Sequence, residues 1–216
     1  MSDAGGLKGT SNPLLKRSGT LKTTSTQPGN DFVFVLGCPG AGKGTLCKRL
    51  ATDCGFYHLS VGDYLHEIKA SGSAPKLDAL KRLMERQDLV PAELPIPLLR
   101  AKINEQVEKG FKAFVLDGFP RKTDQCIAFE RELGMAKVAL FFNCDKDIAL
   151  PRYLTRQLPG RLADDETVFE KRYSESMIEN KEVLRHLEER VIEVDTSGPT
   201  EASYALLVGA ASSILL

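Results

Sequence analysis

The sequence predicts an α/β fold: a parallel sheet covered by helices on both faces, with a phosphate-cradling loop after its first strand. Three observations carry this reading. Apolar runs rich in β-branched and aromatic residues alternate with helical patterns from residue 31 onward. A glycine-rich loop stands between the first run and the first helical pattern. The remaining charged motifs fall at the carboxyl edge of the strands, where sheets of this kind hold their ligands.

The first 30 residues stand outside this pattern. Gly, Ser, Thr and Pro fill 16 of those 30 positions, and no aromatic residue occurs among them. Such a segment cannot bury enough surface to offset its ordering entropy. Residues 1–30 therefore read as a disordered tail, mildly basic through Lys8, Lys16, Arg17 and Lys22 against Asp3. Residues 31–216 read as one domain.

Phe32-Val33-Phe34-Val35-Leu36 is an unbroken apolar run, which suits a strand buried on both faces. Gly37-Cys38-Pro39-Gly40-Ala41-Gly42-Lys43-Gly44-Thr45 follows, and a helical pattern occupies 43–54. Glycines let successive backbone N–H groups curl around phosphate oxygens. The helix N-terminus adds a favourable field for negative charge. Lys43 supplies a mobile point charge for the outer phosphates. Position 44 is glycine where the common phosphate-loop pattern has Ser or Thr, and Thr45 comes one residue later.

Runs at 56–59, 111–116, 138–143 and 191–194 supply the other strands, and helical patterns lie at 63–70, 76–86, 96–109, 123–133, 147–157, 166–189 and 200–212. The third run leads into Leu116-Asp117-Gly118-Phe119-Pro120-Arg121. A carboxylate ending a buried strand opposite the loop can hold magnesium or its waters. Arg121 leaves the same edge and can grip phosphate with two parallel bonds. Arg156, Arg161, Asp164, Asp165 and Arg172 surround Pro159-Gly160 and read as a mobile lid. The apolar stretch Ala205 to Leu216 reads as a final helix packed on the core.

Composition narrows the function classes. Lysine plus arginine and aspartate plus glutamate both number 29, so no basic excess argues for nucleic acid. The five cysteines are scattered without a CxxC pair, which disfavours zinc and fits reduced thiols. No apolar run approaches the roughly 18 residues that a membrane span needs. A cytoplasmic protein is expected, with mitochondrial and nuclear locations as alternatives.

In these motifs the chain resembles the nucleoside monophosphate kinases, the adenylate and UMP-CMP kinases. The resemblance covers about residues 31–211 and rests on GCPGAGKGT (37–45), HLSVGDYL (58–65), LVP (89–91), LDGFPR (116–121), the GR and DD of the lid (160–165) and KRY (171–173). It implies a P-loop NTPase core with a five-stranded parallel sheet, a small helical acceptor-binding insertion at about 60–90 and a short lid at about 157–166. It implies transfer of the γ-phosphoryl group of ATP to a nucleoside monophosphate, with Mg2+ accompanying ATP and a monomer as the working unit.

The resemblance also assigns residues. Gly40, Ala41, Gly42, Lys43, Gly44, Thr45, Arg156 and Gly198 would bind ATP. Ser60, His66, Leu89, Val90, Gly118 and Gln125 would line the acceptor site. Lys43, Arg121, Arg161 and Arg172 would hold the reacting phosphates. Asp117 would order magnesium through water, with Thr45 as a second metal contact. The short lid lacks the zinc-bearing insertion of some adenylate kinases, so no structural metal is expected.

Two positions bear on the acceptor. His66 stands where the family pattern places an arginine on the acceptor phosphate, and its charge is only partial near neutral pH. Gln125 matches the glutamine with which adenylate kinases read adenine, whereas Val61 and the LVP step look more like UMP-CMP kinases. AMP is slightly favoured over CMP or UMP. A weakly active nucleotide sensor of the same fold and another phosphate-loop small-molecule kinase stay as alternatives. A chain starting at Gly29 is expected to melt within a few degrees of the full chain and to keep its turnover. Loss of cooperative unfolding in a thermal melt would show that residues 1–28 pack on the core.

Overall fold

Five strands form one wholly parallel sheet: β1 (Asp31–Gly37), β2 (Tyr57–Ser60), β3 (Ala113–Asp117), β4 (Val138–Asn143) and β5 (Val191–Asp195), in the order β2-β3-β1-β4-β5. The computed structural model describes residues 29–71, 77–86, 88, 90–156 and 165–215. Most of the expected tail and the expected lid lie outside those residues.

Strand β1 shows why the apolar runs are unbroken. Side chains alternate across a strand with a period of two. Phe32, Phe34 and Leu36 enter one core with Leu99, Ile103 and Phe129. Val33 and Val35 enter the other with Leu46, Leu50, Tyr153 and Leu207. Helices α4 (Pro95–Glu108) and α5 (Thr123–Leu133) cover the first face. Helices α1 (Lys43–Cys54), α6 (Lys146–Thr155) and α8 (Thr200–Leu215) cover the second. Helix α7 (Glu166–Leu187) reaches both, with Phe169 in the second core and Val183 and Leu187 in the first. Helices α2 (Val61–Ser71) and α3 (Leu77–Glu85) form the insertion between β2 and α4.

The connection after β1 runs toward β2, whereas the connection after β3 runs back across β1 toward β4. The chain thus leaves these neighbouring strands in opposite directions, which opens a crevice at their carboxyl ends.

Several boundaries differ from the sequence expectation for identifiable reasons. The second and third strands begin later than expected because pairing starts at Tyr57↔Phe114 for the second and at Asp31↔Ala113 for the third. Phe111 stays outside the ladder and packs edge-on against Tyr57, with ring centroids 5.2 Å apart. Helix α7 stops at Leu187, where Glu188 adopts a φ of 29° and one 3₁₀ turn follows. Among the described side chains after Ala205, one stripe of the helix packs on the core. Leu207 is buried, while Leu206 and Val208 are exposed.

Four aromatic rings tie β1 to α5. Phe129 meets Phe32, Phe34 and Phe119 with centroids 5.0, 5.3 and 5.4 Å apart. Phe129→Ala would leave a cavity among fully buried rings. It should lower stability by about 3–5 kcal/mol, read as a lower urea midpoint at unchanged slope. A loss below about 1 kcal/mol would show that the cluster can collapse into the space.

Candidate active site

The loop after β1 owes its shape to glycines. Gly40 has a φ of 84°, and a Cβ there would sit 2.1 Å from the Ala149 carbonyl oxygen on α6. Only glycine permits that approach. Gly42, also left-handed, starts α1, which has no side-chain cap and no acidic residue in its first turn. The helix N-terminus is therefore left for an anion, since its first N–H groups have no partner within the helix. Lys43 folds back over the loop, and its Nζ donates to the carbonyls of Gly37 at 2.8 Å and Cys38 at 2.7 Å. Burial lowers the pKa of this ammonium, and the Asp117 carboxylate opposes that effect.

Asp117 ends β3 with 7 % of its surface exposed. Its Oδ2 lies 3.2 Å from His58 Nε2. A Cβ added at Gly44 would stand 3.6 Å from the same oxygen. The carboxylate thus lies against the loop at the position where glycine replaces the usual hydroxyl residue. Beneath it, burial and the Asp117 charge push the Cys47 thiol well above its ordinary range.

These groups open into a cleft of about 710 Å³. The loop from Gly40 to Thr45 lines it, together with Ser60, Asp117, Gly118, Arg121, Arg156, Arg172 and Gly198. Ser60 is oriented by its own turn, with Oγ donating to Asp63 Oδ2 at 2.7 Å. A second cleft of about 80 Å³ adjoins the first and is lined by His66, Val90, Gly118, Arg121, Gln125 and Arg172. Gly118, Arg121 and Arg172 border both clefts. Arg121 Nε donates to the Gly118 carbonyl at 3.2 Å, and Arg172 Nη1 reaches Tyr153 Oη at 3.4 Å. The predicted positions Leu89 and Arg161 lie outside the described residues.

Gln125 is a buried amide in use at both ends. Its Nε2 donates to the Val90 carbonyl at 2.5 Å, and its Oε1 accepts from the Arg121 backbone N–H at 2.9 Å. It joins the end of the insertion to the turn that carries Arg121.

Arg152 and His58 are among the cleft residues that escaped the sequence reading. Arg152 lines the large cleft and donates to the carbonyls of Thr196 at 2.7 Å, Ser197 at 3.2 Å and Gly198 at 2.7 Å. It stands four residues before Arg156, which follows directly after the end of α6, so both arginines leave the same end of that helix. His58 stands two residues before Ser60 on β2, so the strand period places both at the same face. Either spacing was a usable signal.

A family model described as adenylate kinase matches residues 35–192. A uridylate kinase of Saccharomyces cerevisiae is 39 % identical over 157 residues, covering 72 % of this chain and 77 % of its own. An adenylate kinase 1 of Schistosoma mansoni is 38 % identical, covering 80 % and 88 %. A UMP-CMP kinase of Lentinula edodes is 33 % identical, covering 85 % and 86 %. A parallel α/β sheet, a glycine loop over a buried carboxylate and adjoining clefts bordered by the same two arginines agree with that match: the chain belongs to the adenylate kinase family, the nucleoside monophosphate kinases that use ATP as phosphoryl donor.

Proposed function

We propose that the larger cleft binds ATP with Mg2+, that the smaller one takes the acceptor base, and that AMP is the preferred acceptor. The observation carrying this reading is that Gly118, Arg121 and Arg172 border both clefts. A phosphoryl group leaving one cleft and an acceptor phosphate in the other would meet at those guanidinium groups.

The acceptor phosphate is already a nucleophile, so the protein needs no general base. Its work is alignment and neutralisation of spreading negative charge. Lys43 and the loop N–H groups would hold the outer phosphates of ATP. Arg152 on α6 and Arg156 just past its end would meet ATP, with Gly198 beside them. Arg121 and Arg172 would grip the transferring and acceptor phosphates, joined by Arg161 from the lid at about 157–166. Water would be excluded as that lid closes. Helices α2 and α3 would act as the acceptor-binding insertion. The buried Asp117 carboxylate and the Thr45 hydroxyl supply hard oxygen donors, which suits Mg2+ directly or through water. When bound, that ion neutralises charge on the phosphate oxygens. We place the enzyme in the cytoplasm as a monomer, in keeping with five free thiols. Among the described residues no helix is long and apolar enough to cross a membrane.

The preference for AMP rests on Gln125. Its bonds to Val90 and Arg121 fix which end of the amide is oxygen, leaving one N–H and one lone pair for a base. A fixed amide matches one order of donor and acceptor. Adenine and cytosine each present an amino donor beside a ring acceptor, whereas uracil presents the reverse, so the amide order separates AMP from UMP, and the preference over CMP rests on the likeness of Gln125 to the adenine-reading glutamine of adenylate kinases. UMP is the second reading, favoured by the uridylate kinases of Saccharomyces cerevisiae and Schizosaccharomyces pombe at 39 % and 36 % identity.

Lys43→Ala should keep the fold and lose at least about a hundredfold in kcat, or about 3 kcal/mol of transition-state stabilisation. Near-normal turnover in a coupled ADP assay would refute the donor site. For the acceptor, kcat/KM for AMP should exceed that for UMP by at least about tenfold, because mismatch leaves buried polar groups unpaired. The reverse preference would overturn the Gln125 argument. His66→Arg should lower KM for AMP by restoring a full charge in the smaller cleft, and an unchanged KM would remove His66 from phosphate binding.

A further inference from the structure

Cys47, His58 and Asp117 come together behind the phosphate loop from α1, β2 and the end of β3. Their sulfur, nitrogen and oxygen ligand atoms all lie within 4.8 Å of one another. His58 Nε2 and Asp117 Oδ2 are 3.2 Å apart. Bonds of about 2.0–2.3 Å around a tetrahedral zinc place neighbouring ligand atoms roughly 3.3–3.6 Å apart. The nitrogen–oxygen edge is therefore already close to coordination spacing, and the Cys47 sulfur needs to close by no more than about 1.5 Å. All three groups are well shielded, with Cys47 at 0 % and Asp117 at 7 % exposure. His58 and Asp117 line the large cleft, which gives an ion a route in and leaves its fourth position to water.

The chemistry of this set differs from that of a magnesium site. Magnesium takes oxygen ligands, whereas a thiolate, an imidazole and a carboxylate suit zinc or cadmium. On binding, a Cys47 sulfur–metal bond forms and the thiol proton leaves to solvent. Thiolate and carboxylate then balance the two positive charges. Lys43 does not block the ion, because its Nζ points to the Gly37 and Cys38 carbonyls. A second trio, Cys126, Glu130 and His186, meets the same distance limit but is already committed. Glu130 binds Arg190 through both oxygens and accepts from the Ala136 N–H.

We propose that Cys47, His58 and Asp117 form an inhibitory site for a thiophilic divalent cation of the zinc class, which binds behind the phosphate loop and takes Asp117 away from Mg·ATP. The inhibitory consequence rests on the donor-site reading above; the binding itself does not.

The direct test is titration of the full chain with Cd2+ alone, without nucleotide, following ultraviolet absorption of the cadmium–thiolate bond. Wild type should take up one ion per chain with that absorption. Cys47→Ser and Cys47→Ala should each lose it, and His58→Gln should weaken binding at least about tenfold. In turnover assays, Zn2+ should inhibit wild type reversibly on chelation. Cys47→Ser should keep basal turnover and need at least about tenfold more Zn2+ for the same inhibition. Cadmium absorption that persists in both Cys47 variants, or is absent from wild type, would overturn the site. Cadmium binding through Cys47 in a protein without kinase turnover would instead refute the donor-site reading and leave the metal site standing. Equal zinc sensitivity of an active wild type and Cys47→Ser would overturn the inhibition.

Discussion

The site depends on one close approach. At Gly40 the phosphate loop passes so near α6 that a single added carbon would stand 2.1 Å from the Ala149 carbonyl oxygen. That contact pins the loop against the helix carrying Arg152, and Arg156 follows directly at its end. A cradle of backbone N–H groups and two guanidinium groups therefore share one rigid frame. Arg152 extends the frame by holding the carbonyls of Thr196, Ser197 and Gly198, so the loop after β5 is fixed to the same helix.

Opposite this frame stand two opposite charges, a half-buried Lys43 and a buried Asp117. Lys43 is drawn over the loop carbonyls, and Asp117 is drawn under Gly44 at the end of β3. Burial disfavours the Lys43 charge, and the Asp117 carboxylate supports it. Such groups interact more strongly than they would in water, because the surrounding protein does not reorganise around them. The same shielding that makes Asp117 useful beside a nucleotide also brings Cys47 and His58 within reach of one ion. A phosphate site and a soft-metal site then compete for one carboxylate.

What the sequence disclosed follows from how local each signal is. The loop was legible because strand, glycines and helix are contiguous, and β1 because burial on both faces demands an unbroken apolar run. Asp117, Arg121 and Arg172 were legible as residue types at a strand end and in a lid cluster, yet the meeting of the two arginines at the border of both clefts, with Asp117 in the larger one, is a product of folding. His58 and Arg152 were overlooked because a lone histidine in a strand and a lone arginine in a helix have ordinary surface roles. Their partners lie 59 and 44 to 46 residues away along the chain. The double engagement of Gln125 was likewise hidden, since Val90 reaches it from 35 residues away. The exposed side of α8 escaped notice because an apolar stretch carries no mark of which stripe will find a core.

The two clefts share one phosphate border. An analogue with two adenosines joined through a chain of phosphates, titrated into the protein by calorimetry, tests this most directly. The account predicts one analogue bound per chain, more tightly than ATP or AMP alone, with the gain lost in Arg121→Ala. Two analogues per chain, or an affinity no better than that of ATP, would show that the clefts do not act as one site.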